Sequence, residues 1–344
     1  MNIIIALIIF SIIILFHELG HFLFAKINGI RVNEFCLGLG PTLIGFTKGE
    51  TKYSLKLLPF GGACIMEGED GESQEEDSFN SKSVWARMSV VAAGPIFNFI
   101  MAWVFALIIM LSVGYDRPAL TSVREGFPAE EAGLQKGDEI ISMNGSRIHF
   151  FREISQYSMF HPGEEVEVVY EREGTRHTVS LNPKMDEETG RPMLGMNGSP
   201  YRERGSFLQS VSHSFYEVKY LICTTVESLR MLITGKVALN DLSGPVGIVK
   251  AMGDTYDTSQ SAGGTGLAIL SMVNFSIFLS ANLGIMNLLP IPALDGGRLL
   301  FLIIEAIRRK KISPEKEGMV HFVGLVALMA LMVFVMFNDI RNII

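Results

Sequence analysis

The chain of 344 residues has only three cysteines, Cys36, Cys64 and Cys223, and they lie far apart. An odd and scattered set without a CxxC pair excludes a disulfide framework and a cysteine-based zinc site. Charge is also scarce, because Lys, Arg, Asp and Glu make up 19% of the residues and the net charge is −7. This acidic balance argues against nucleic acid as a partner. No internal repeat is present.

Long stretches without charge are what the chain has in excess, since 48% of its residues are hydrophobic. A typical soluble enzyme is less apolar. A membrane span takes about 20 residues. Four stretches meet this length, and we expect spans at about 3–25, 89–113, 266–289 and 319–337. The first could instead be a signal peptide, but it lacks the basic residues with which one begins.

Basic residues indicate how the spans are oriented. They cluster after the third stretch, at Arg298, Arg308, Arg309, Lys310, Lys311 and Lys316. The positive-inside rule makes this segment cytoplasmic. Four spans then place both termini and the segment between spans two and three outside, and residues 26–88 in the cytoplasm.

The sequence His17-Glu18-Leu19-Gly20-His21 lies inside the first apolar stretch. Histidines four apart share one face of a helix and can bind one zinc ion, and the Glu beside the first can take a proton from the attacking water. Ionisable groups at membrane depth are costly and usually functional. Catalytic zinc has three protein ligands. Asp295 is the candidate third ligand, and the alternative is a carboxylate that caps the next helix.

Two asparagines and two prolines mark the end of the third apolar stretch. The amides of Asn282 and Asn287 could bind an unwound peptide substrate or could join helices, and the sequence favours neither. Pro290 and Pro292 end the helix and free backbone carbonyls, which suits docking of a strand-like substrate.

The remaining segments predict strands and a connecting helix. Residues 30–66 combine strand-like alternation with glycines and predict a β-hairpin of short strands, which either enters the membrane or lies in the cytoplasm. Two further hairpins predict a small separate domain outside. The predicted division is a first membrane part at 1–114, the external domain at 115–200, an amphipathic connecting region at 201–264 and a second membrane part at 265–344.

Together these residues resemble the site-2 protease family of intramembrane zinc metalloproteases, in its bacterial branch. Residues 115–200 also resemble a PDZ domain through Gly133-Leu-x-x-Gly137-Asp138, and there is room for one such domain where some members have two. The family resemblance rests on His17-Glu18-x-x-His21, Phe60-Gly61-Gly62, Gly94-Pro95-x-x-Asn98, Gly244-Pro245-x-Gly247-Ile248 and Asn287-x-x-Pro290-x-Pro292-x-Leu294-Asp295-Gly296-Gly297.

This resemblance implies a polytopic α-helical membrane protein with about four transmembrane helices, a cytoplasmic membrane-re-entrant β-hairpin and one extracytoplasmic α+β PDZ domain. It places the protein in the bacterial cytoplasmic membrane. It implies Zn²⁺ bound by His17, His21 and Asp295, with Glu18 as general base. Asn282 and Asn287 match positions that engage the substrate, and the hairpin containing Gly61 and Gly62 would add a strand to it.

The resemblance also implies partners. Family members cleave the transmembrane helices of single-span proteins, typically anti-sigma factors and remnant signal peptides. An upstream site-1-type protease usually trims the external part first. The lipid bilayer is the second partner, and no nucleic acid is expected.

Two functions of other classes stay open. Intramembrane His, Asp and Asn side chains would also line the path of a metal or ion transporter, although four spans without a repeat are unusual for one. A catalytically inactive scaffold could act through its PDZ domain, although every catalytic position is present.

Overall fold

The structure is a computed structural model that describes residues 2–69, 75–187, 190, 192–199, 202–236 and 243–343. Contacts divide the chain into two compact units, residues 1–105 with 229–344, and residues 106–228. Each unit is described by itself. The expected boundary between the external domain and the connecting region, at residues 200 and 201, lies outside the described residues. The domain boundaries therefore stay predictions.

The helices and strands follow in chain order. The helices are α1 Asn2–Ile27, α2 Val84–Ser112, α3 Pro128–Glu131, α4 Phe151–Phe160, α5 Phe207–Ile233, α6 Pro245–Leu288, α7 Asp295–Arg308 and α8 Pro314–Ile343. The strands are β1 Val32–Lys48, β2 Thr51–Met66, β3 Leu120–Val123, β4 Glu139–Met143, β5 Ser146–Arg147, β6 Val166–Arg172, β7 Thr175–Leu181, β8 Lys184–Met185, β9 Pro192–Met193 and β10 Met196–Gly198.

Four helices within the described ranges are long and apolar enough to cross a membrane. This confirms the number of spans expected from the sequence. The third helix differs, because α6 starts at Pro245 and its backbone leaves helical geometry at Gly263 and Gly264, where Gly264 has φ 71°. The expected third span is the part of α6 that follows this break. The four candidate spans are Ile3–Ile27, Val84–Ser112, Pro245–Leu288 and Glu315–Arg341.

Small residues let the first unit's helices approach closely, as is common between membrane helices. A Cβ atom on Gly20 of α1 would lie 2.7 Å from the carbonyl carbon of Ala93 in α2. A Cβ atom on Gly284 of α6 would lie 3.2 Å from the carbonyl oxygen of Pro95. These two glycines therefore bring α1 and α6 against the same stretch of α2.

Helix α8 holds the start of α6 through one buried carboxylate. The side chain of Asp339 accepts hydrogen bonds from the backbone N–H groups of Gly244, at 2.9 Å, and Gly247, at 2.8 Å. Free N–H groups at a helix start need partners, and the positive end of the helix dipole favours an anion there. This contact accounts for the Gly244-Pro245-x-Gly247 motif.

Strands β1 and β2 are 17 and 16 residues long, not the short strands expected. Each bends, so that the middle of β1 is paired on both sides: Cys36 lies opposite Ser54 and also opposite Ala63. Gly38 and Gly61, with φ of 90° and 87°, lie at the two bends. In the resulting sheet, residues 62–66 pair with β1 alone among the described strands.

The second unit contains a four-stranded antiparallel sheet in the order β5-β4-β6-β7, and β3 pairs with β10. Asp138, 1% exposed, precedes β4 and accepts hydrogen bonds from the Arg172 guanidinium on β6 at 2.7 Å. Burial raises the pKa of the Asp138 carboxyl. The hydrogen bonds from Arg172 and from the Gln135 N–H together lower this pKa by more, so the net shift is downward. Asp138 therefore stays ionised and fixes the turn between Gly133 and β4.

Two histidines of this unit are stacked on tyrosines. The ring centroids of His149 and Tyr216 lie 3.6 Å apart, and those of His213 and Tyr115 also lie 3.6 Å apart. Burial, followed by the charges of Lys219 and Arg147, lowers the pKa of His149 to about 4. Burial also lowers the pKa of His213.

The stacked histidines predict an acid-sensitive second unit. At pH values between the ordinary pKa of 6.5 and about 4, His149 binds a proton in the unfolded chain but not in the folded chain. Stability is therefore lost as pH falls through this window. Relative to a chain without the His149 imidazole, we expect opening of α4 and α5 to become easier between pH 6.5 and 4.5, measured by hydrogen exchange corrected for intrinsic rates.

The control for this prediction is His149→Gln. Burial raises the pKa of Glu153, 3.8 Å from His149, and of Glu217, and both carboxyls work in the opposite direction in either protein. The comparison of native chain and variant therefore isolates the imidazole. A native chain whose stability relative to the variant does not change with pH would contradict the prediction.

Candidate metal centre

The paired histidines of α1 meet as their spacing predicts. His17 and His21 are each 8% exposed, and their Nε2 atoms lie 3.2 Å apart. Residues four apart lie on one face of a helix, one turn above each other. Both imidazoles therefore present one nitrogen to the same point inside the first unit.

Asp295 reaches this point from the far end of the chain. Helix α6 ends at Leu288, and α7 begins at Asp295 after a short loop with Ala293 at φ 75°. His321 of α8 holds this loop, since its Nδ1 accepts the N–H of Ala293 at 2.8 Å. A Cβ atom on Gly297 would overlap the backbone carbonyl oxygen of Ile291, so only glycine lets α7 start this close to the loop.

The three side chains fit a zinc ion. Asp295 Oδ2 lies 3.1 Å from Nε2 of His17 and 3.5 Å from Nε2 of His21. Zinc bonds of 2.0–2.1 Å in tetrahedral geometry place ligand atoms about 3.3 Å apart. Asp295 Oδ2 is buried and has no hydrogen-bond partner among the described residues. A cation that three ligands share, with one position left for water, accounts for this otherwise costly arrangement.

Each imidazole has a second contact that orients it. His21 Nδ1 lies 2.9 Å from the carbonyl oxygen of Val90. A carbonyl only accepts, so Nδ1 carries the proton and the lone pair of Nε2 is free for a metal. His17 Nδ1 lies 3.1 Å from the amide of Asn98, which is fully buried on α2. The metal-binding tautomer of His17 requires Asn98 to turn its oxygen, which has no partner as placed, toward Nδ1.

Gly94 of α2 lies directly against both rings. A Cβ atom there would lie 2.8 Å from Cε1 of His17 and would overlap the ring of His21. Any side chain would therefore push the imidazoles out of place. This contact explains why the Gly94-Pro95-x-x-Asn98 motif belongs to the site.

Glu18 lies next to His17 but is not one of the three side chains, His17, His21 and Asp295, that form the candidate metal site. It has no hydrogen bond or ion pair with a described residue. A Cβ atom on Gly62 would lie 3.2 Å from Cγ of Glu18 and 2.9 Å from Cγ2 of Ile14. Because Gly62 has no side chain, residues 62–66 of the sheet can pass close to the Glu18 carboxylate, which has no hydrogen bond with a described residue.

The two asparagines of α6 have different surroundings. Asn287 Nδ2 lies 3.4 Å from Nε2 of His17, whereas Asn282 Nδ2 donates to the carbonyl of Phe278 at 3.0 Å. Five residues of α-helix turn through about 500°, so the two amides point about 140° apart. The structure brings Asn287 to the metal cluster and places Asn282 elsewhere on the helix.

The two prolines lie in the loop between α6 and α7. Pro292 packs on α8, because a Cβ atom on Gly324 would lie 2.7 Å from the Pro292 carbonyl oxygen. Pro290 is exposed. The prolines thus end α6 and shape the approach to Asp295.

Sequence reasoning did not name Asn98 and Gly94 as site residues. Asn98 had a usable signal, since a polar side chain in the uncharged second span is costly unless it has a partner. Gly94 had a weaker one, because a glycine in a helix has several possible uses. Only the structure shows that both contact the imidazoles.

Comparison with known proteins identifies the family of the chain. The peptidase family M50 profile matches residues 5–331, nearly the whole chain. The chain belongs to peptidase family M50. Members of this family depend on zinc, and with four candidate spans this M50 chain is a multi-pass membrane metalloprotease.

Relatives cover the chain from end to end. A Clostridium acetobutylicum protein, provisionally named a zinc metalloprotease, is 37% identical over 98% of this chain and 97% of its own length. The Bacillus licheniformis zinc metalloprotease RasP is 34% identical over 99% of each chain. The Bacillus subtilis regulator of sigma-W protease RasP is 34% identical over 98% of this chain and 97% of its own.

The alignment with the B. licheniformis protein spans 426 positions, whereas this M50 chain has 344 residues. The relative therefore has about 80 residues without a counterpart here. The C. acetobutylicum protein aligns over 339 residues and matches the present chain in size.

Solved PDZ domains match a part of the chain. The PDZ domain of an SdrC-like protein from Listeria monocytogenes is 22% identical and covers 25% of this chain and 92% of that domain, with a TM-score of 0.22. The corresponding domain from Listeria innocua is 24% identical and covers 26% of this chain and all of that domain, with the same TM-score.

The contact of Gly94 with both rings predicts a loss of zinc in Gly94→Ala. We expect zinc per purified chain to fall well below one and stability to drop by about 1–3 kcal/mol, as for overpacked cores. Metal analysis and thermal unfolding in detergent measure both. Gly266→Ala is the matched control, because nothing lies within 4 Å of the added Cβ atom. Full zinc content in Gly94→Ala would contradict this placement of α2.

The contact between Asn98 and His17 predicts a graded effect on zinc affinity. Removing a group that orients a ligand typically costs 10–100-fold in metal affinity, and we expect about that loss in Asn98→Ala. Asn98→Asp keeps an acceptor for the imidazole N–H and should retain most of the affinity. Competition with a fluorescent zinc chelator measures both. Asn282→Ala, on the other asparagine, should leave zinc affinity unchanged, and an equal loss there would argue against a specific role of Asn98.

Proposed function

We propose that this protein cleaves the transmembrane helices of single-span membrane proteins, with Zn²⁺ held by His17, His21 and Asp295 and with Glu18 as general base. The observation that carries this proposal is the set of three ligand atoms 3.1–3.5 Å apart beside an uncommitted carboxylate. Regulated intramembrane proteolysis is the activity that the family implies.

The chemistry is hydrolysis of a peptide bond. When bound, zinc polarises the scissile carbonyl and lowers the pKa of water to about 7. Glu18 takes the proton of the attacking water and passes it to the nitrogen of the leaving amine. Asn98 and the Val90 carbonyl keep both imidazoles in position during these transfers.

The sheet offers a place for an unwound substrate. Residues 62–66 are paired on one edge only among the described strands, and Gly62 brings them next to Glu18. An extended substrate that adds a strand here would pass the general base, as in other cases of strand addition. Gly61 provides the bend that starts this edge, with φ 87°.

Polar side chains on α6 would complete substrate binding. Asn287, 3.4 Å from His17, can donate to the substrate backbone next to the metal. Asn282 must exchange its bond to the Phe278 carbonyl for one to the substrate. Pro290 and Pro292 end α6 and open the backbone at this position.

The arrangement in the membrane follows from charge. We propose that the protein lies in the bacterial cytoplasmic membrane with both termini outside and with the β1–β2 sheet on the cytoplasmic side. Residues 115–200 would form one extracytoplasmic PDZ domain. The motif at Gly133–Asp138 supports this assignment, as does the antiparallel sheet that Asp138 and Arg172 stabilise.

The substrates we propose are anti-sigma factors and remnant signal peptides, trimmed beforehand by an upstream site-1-type protease. The B. subtilis relative carries the name regulator of sigma-W protease, which supports the first class. Single-span proteins suit a site that lies among four helices of one chain, because one substrate helix must enter and unwind.

The test is cleavage of a tagged single-span substrate in membranes by the native chain and by Glu18→Gln. A general base typically contributes 10²–10⁴-fold to the rate, so we expect a loss of about that size with zinc still bound. Glu131→Gln changes an exposed carboxylate in the second unit and serves as the matched control. Equal processing by Glu18→Gln would overturn the role of Glu18 and assign the cleavage to another protease.

A further inference from the structure

A basic cleft lies at the start of α2 and the end of α7, within the first unit. Its volume is about 590 Å³. Five cationic side chains and one acidic side chain line it: Lys82, Arg87, Arg309, Lys310, Lys311 and Glu305. The chain turns sharply here, because Arg309 ends α7 with a left-handed backbone at φ 53°. This turn directs the last three basic residues back over the start of α2.

Among the described residues, a single carboxylate neutralises one of the five cations of the cleft. Glu305 is bound to Arg87. Lys82, Arg309 and Lys310 have no ion pair or side-chain hydrogen bond with any described residue. The start of α2 adds the positive end of a helix dipole. The cleft therefore has an excess of positive charge that an anion would balance.

One of the cations that line the cleft is buried. Arg87 is 5% exposed, and its Nε has no hydrogen-bond partner among the described residues, although its terminal nitrogen binds Glu305. Arg87 therefore uses its charge on Glu305, and the other four cations of the cleft remain for an anion. Phosphate is the anion that Arg and Lys side chains recognise most readily.

The surroundings favour a lipid over a soluble phosphate. The candidate span of α2 begins at Val84, two residues after Lys82. Trp85 lines the cleft and is 70% exposed, and Ile307 on α7 is 76% exposed. Exposed indoles at the ends of spans typically lie at the membrane interface. Acyl chains can pack on these two side chains while the headgroup enters the cleft.

We propose that this cleft binds the headgroup of an anionic phospholipid, with the phosphate held by Lys82, Arg309 and Lys310 and with Trp85 against the acyl chains. Such a lipid would connect the start of α2 with the segment that follows α7. The cleft is separate from the metal cluster, so this binding does not depend on the proposed peptidase activity.

The experiment uses the full chain with Trp103→Phe, which leaves Trp85 as the single tryptophan. Bilayers contain equal amounts of phosphatidylglycerol and phosphatidylcholine, and either one or the other carries brominated acyl chains that quench a nearby indole. We expect brominated phosphatidylglycerol to quench Trp85 about three- to tenfold more effectively, since each basic residue near the surface favours anionic lipid. Equal quenching would overturn the proposal.

Charge-matched variants locate the effect. Lys82→Gln, Arg309→Gln and Lys310→Gln together should reduce the preference to near one. Lys136→Gln, Lys236→Gln and Lys250→Gln remove the same charge elsewhere and should leave it unchanged. A preference that survives in the cleft variant would overturn the proposal. Lys310→Gln alone should show an intermediate preference, which keeps the test decisive if the triple variant folds poorly.

Inorganic phosphate distinguishes the source of the anion. The measurement is repeated with 20 mM inorganic phosphate in place of chloride at constant ionic strength. The proposal expects the preference for phosphatidylglycerol to remain, because the acyl chains add to binding. Displacement of the lipid would assign the cleft to a soluble anion and overturn the lipid assignment.

Discussion

The close approach of α1 to α2 is the constraint on which the candidate metal centre depends. Gly20 lets the two backbones meet, and Gly94 leaves room for both imidazoles where they do. Without this approach, His21 would not reach the Val90 carbonyl and His17 would not reach Asn98. Helix α6 packs on the same stretch of α2 through Gly284, and it is this packing that sets the position from which Asp295 reaches the histidines.

Hydropathy and helical spacing were sufficient to predict the number of candidate spans and the proximity of His17 to His21. The four spans follow from apolar length, and the meeting of His17 and His21 follows from their spacing of four. Asp295 was the third ligand proposed from the sequence because it stands alone in a long uncharged stretch, and the structure places it within 3.5 Å of both histidines. These features depend on local pattern and on the cost of charge in an apolar environment.

The rest depended on tertiary contacts that no local pattern contains. The bends of β1 and β2 pair one stretch of β1 on two sides, and only the register shows which edge passes Glu18. Helical geometry could have separated Asn282 from Asn287, since five residues do not return to the same face. The contact of Gly94 with both rings required the crossing of α1 and α2 to be known. The expected boundary at residues 200 and 201 stays a prediction, because it lies outside the described residues.

The order of the ligands along the chain has a consequence for biosynthesis. Asp295 follows His17 by 278 residues, and at about 5–20 residues per second this separation takes roughly 14–56 s to translate. Throughout that time α1 is made, but Asp295, the proposed third ligand, does not yet exist. With the ligand set that we propose, the protease is inactive until Asp295 has been made, so it does not cleave neighbouring nascent helices while its own first spans are being inserted.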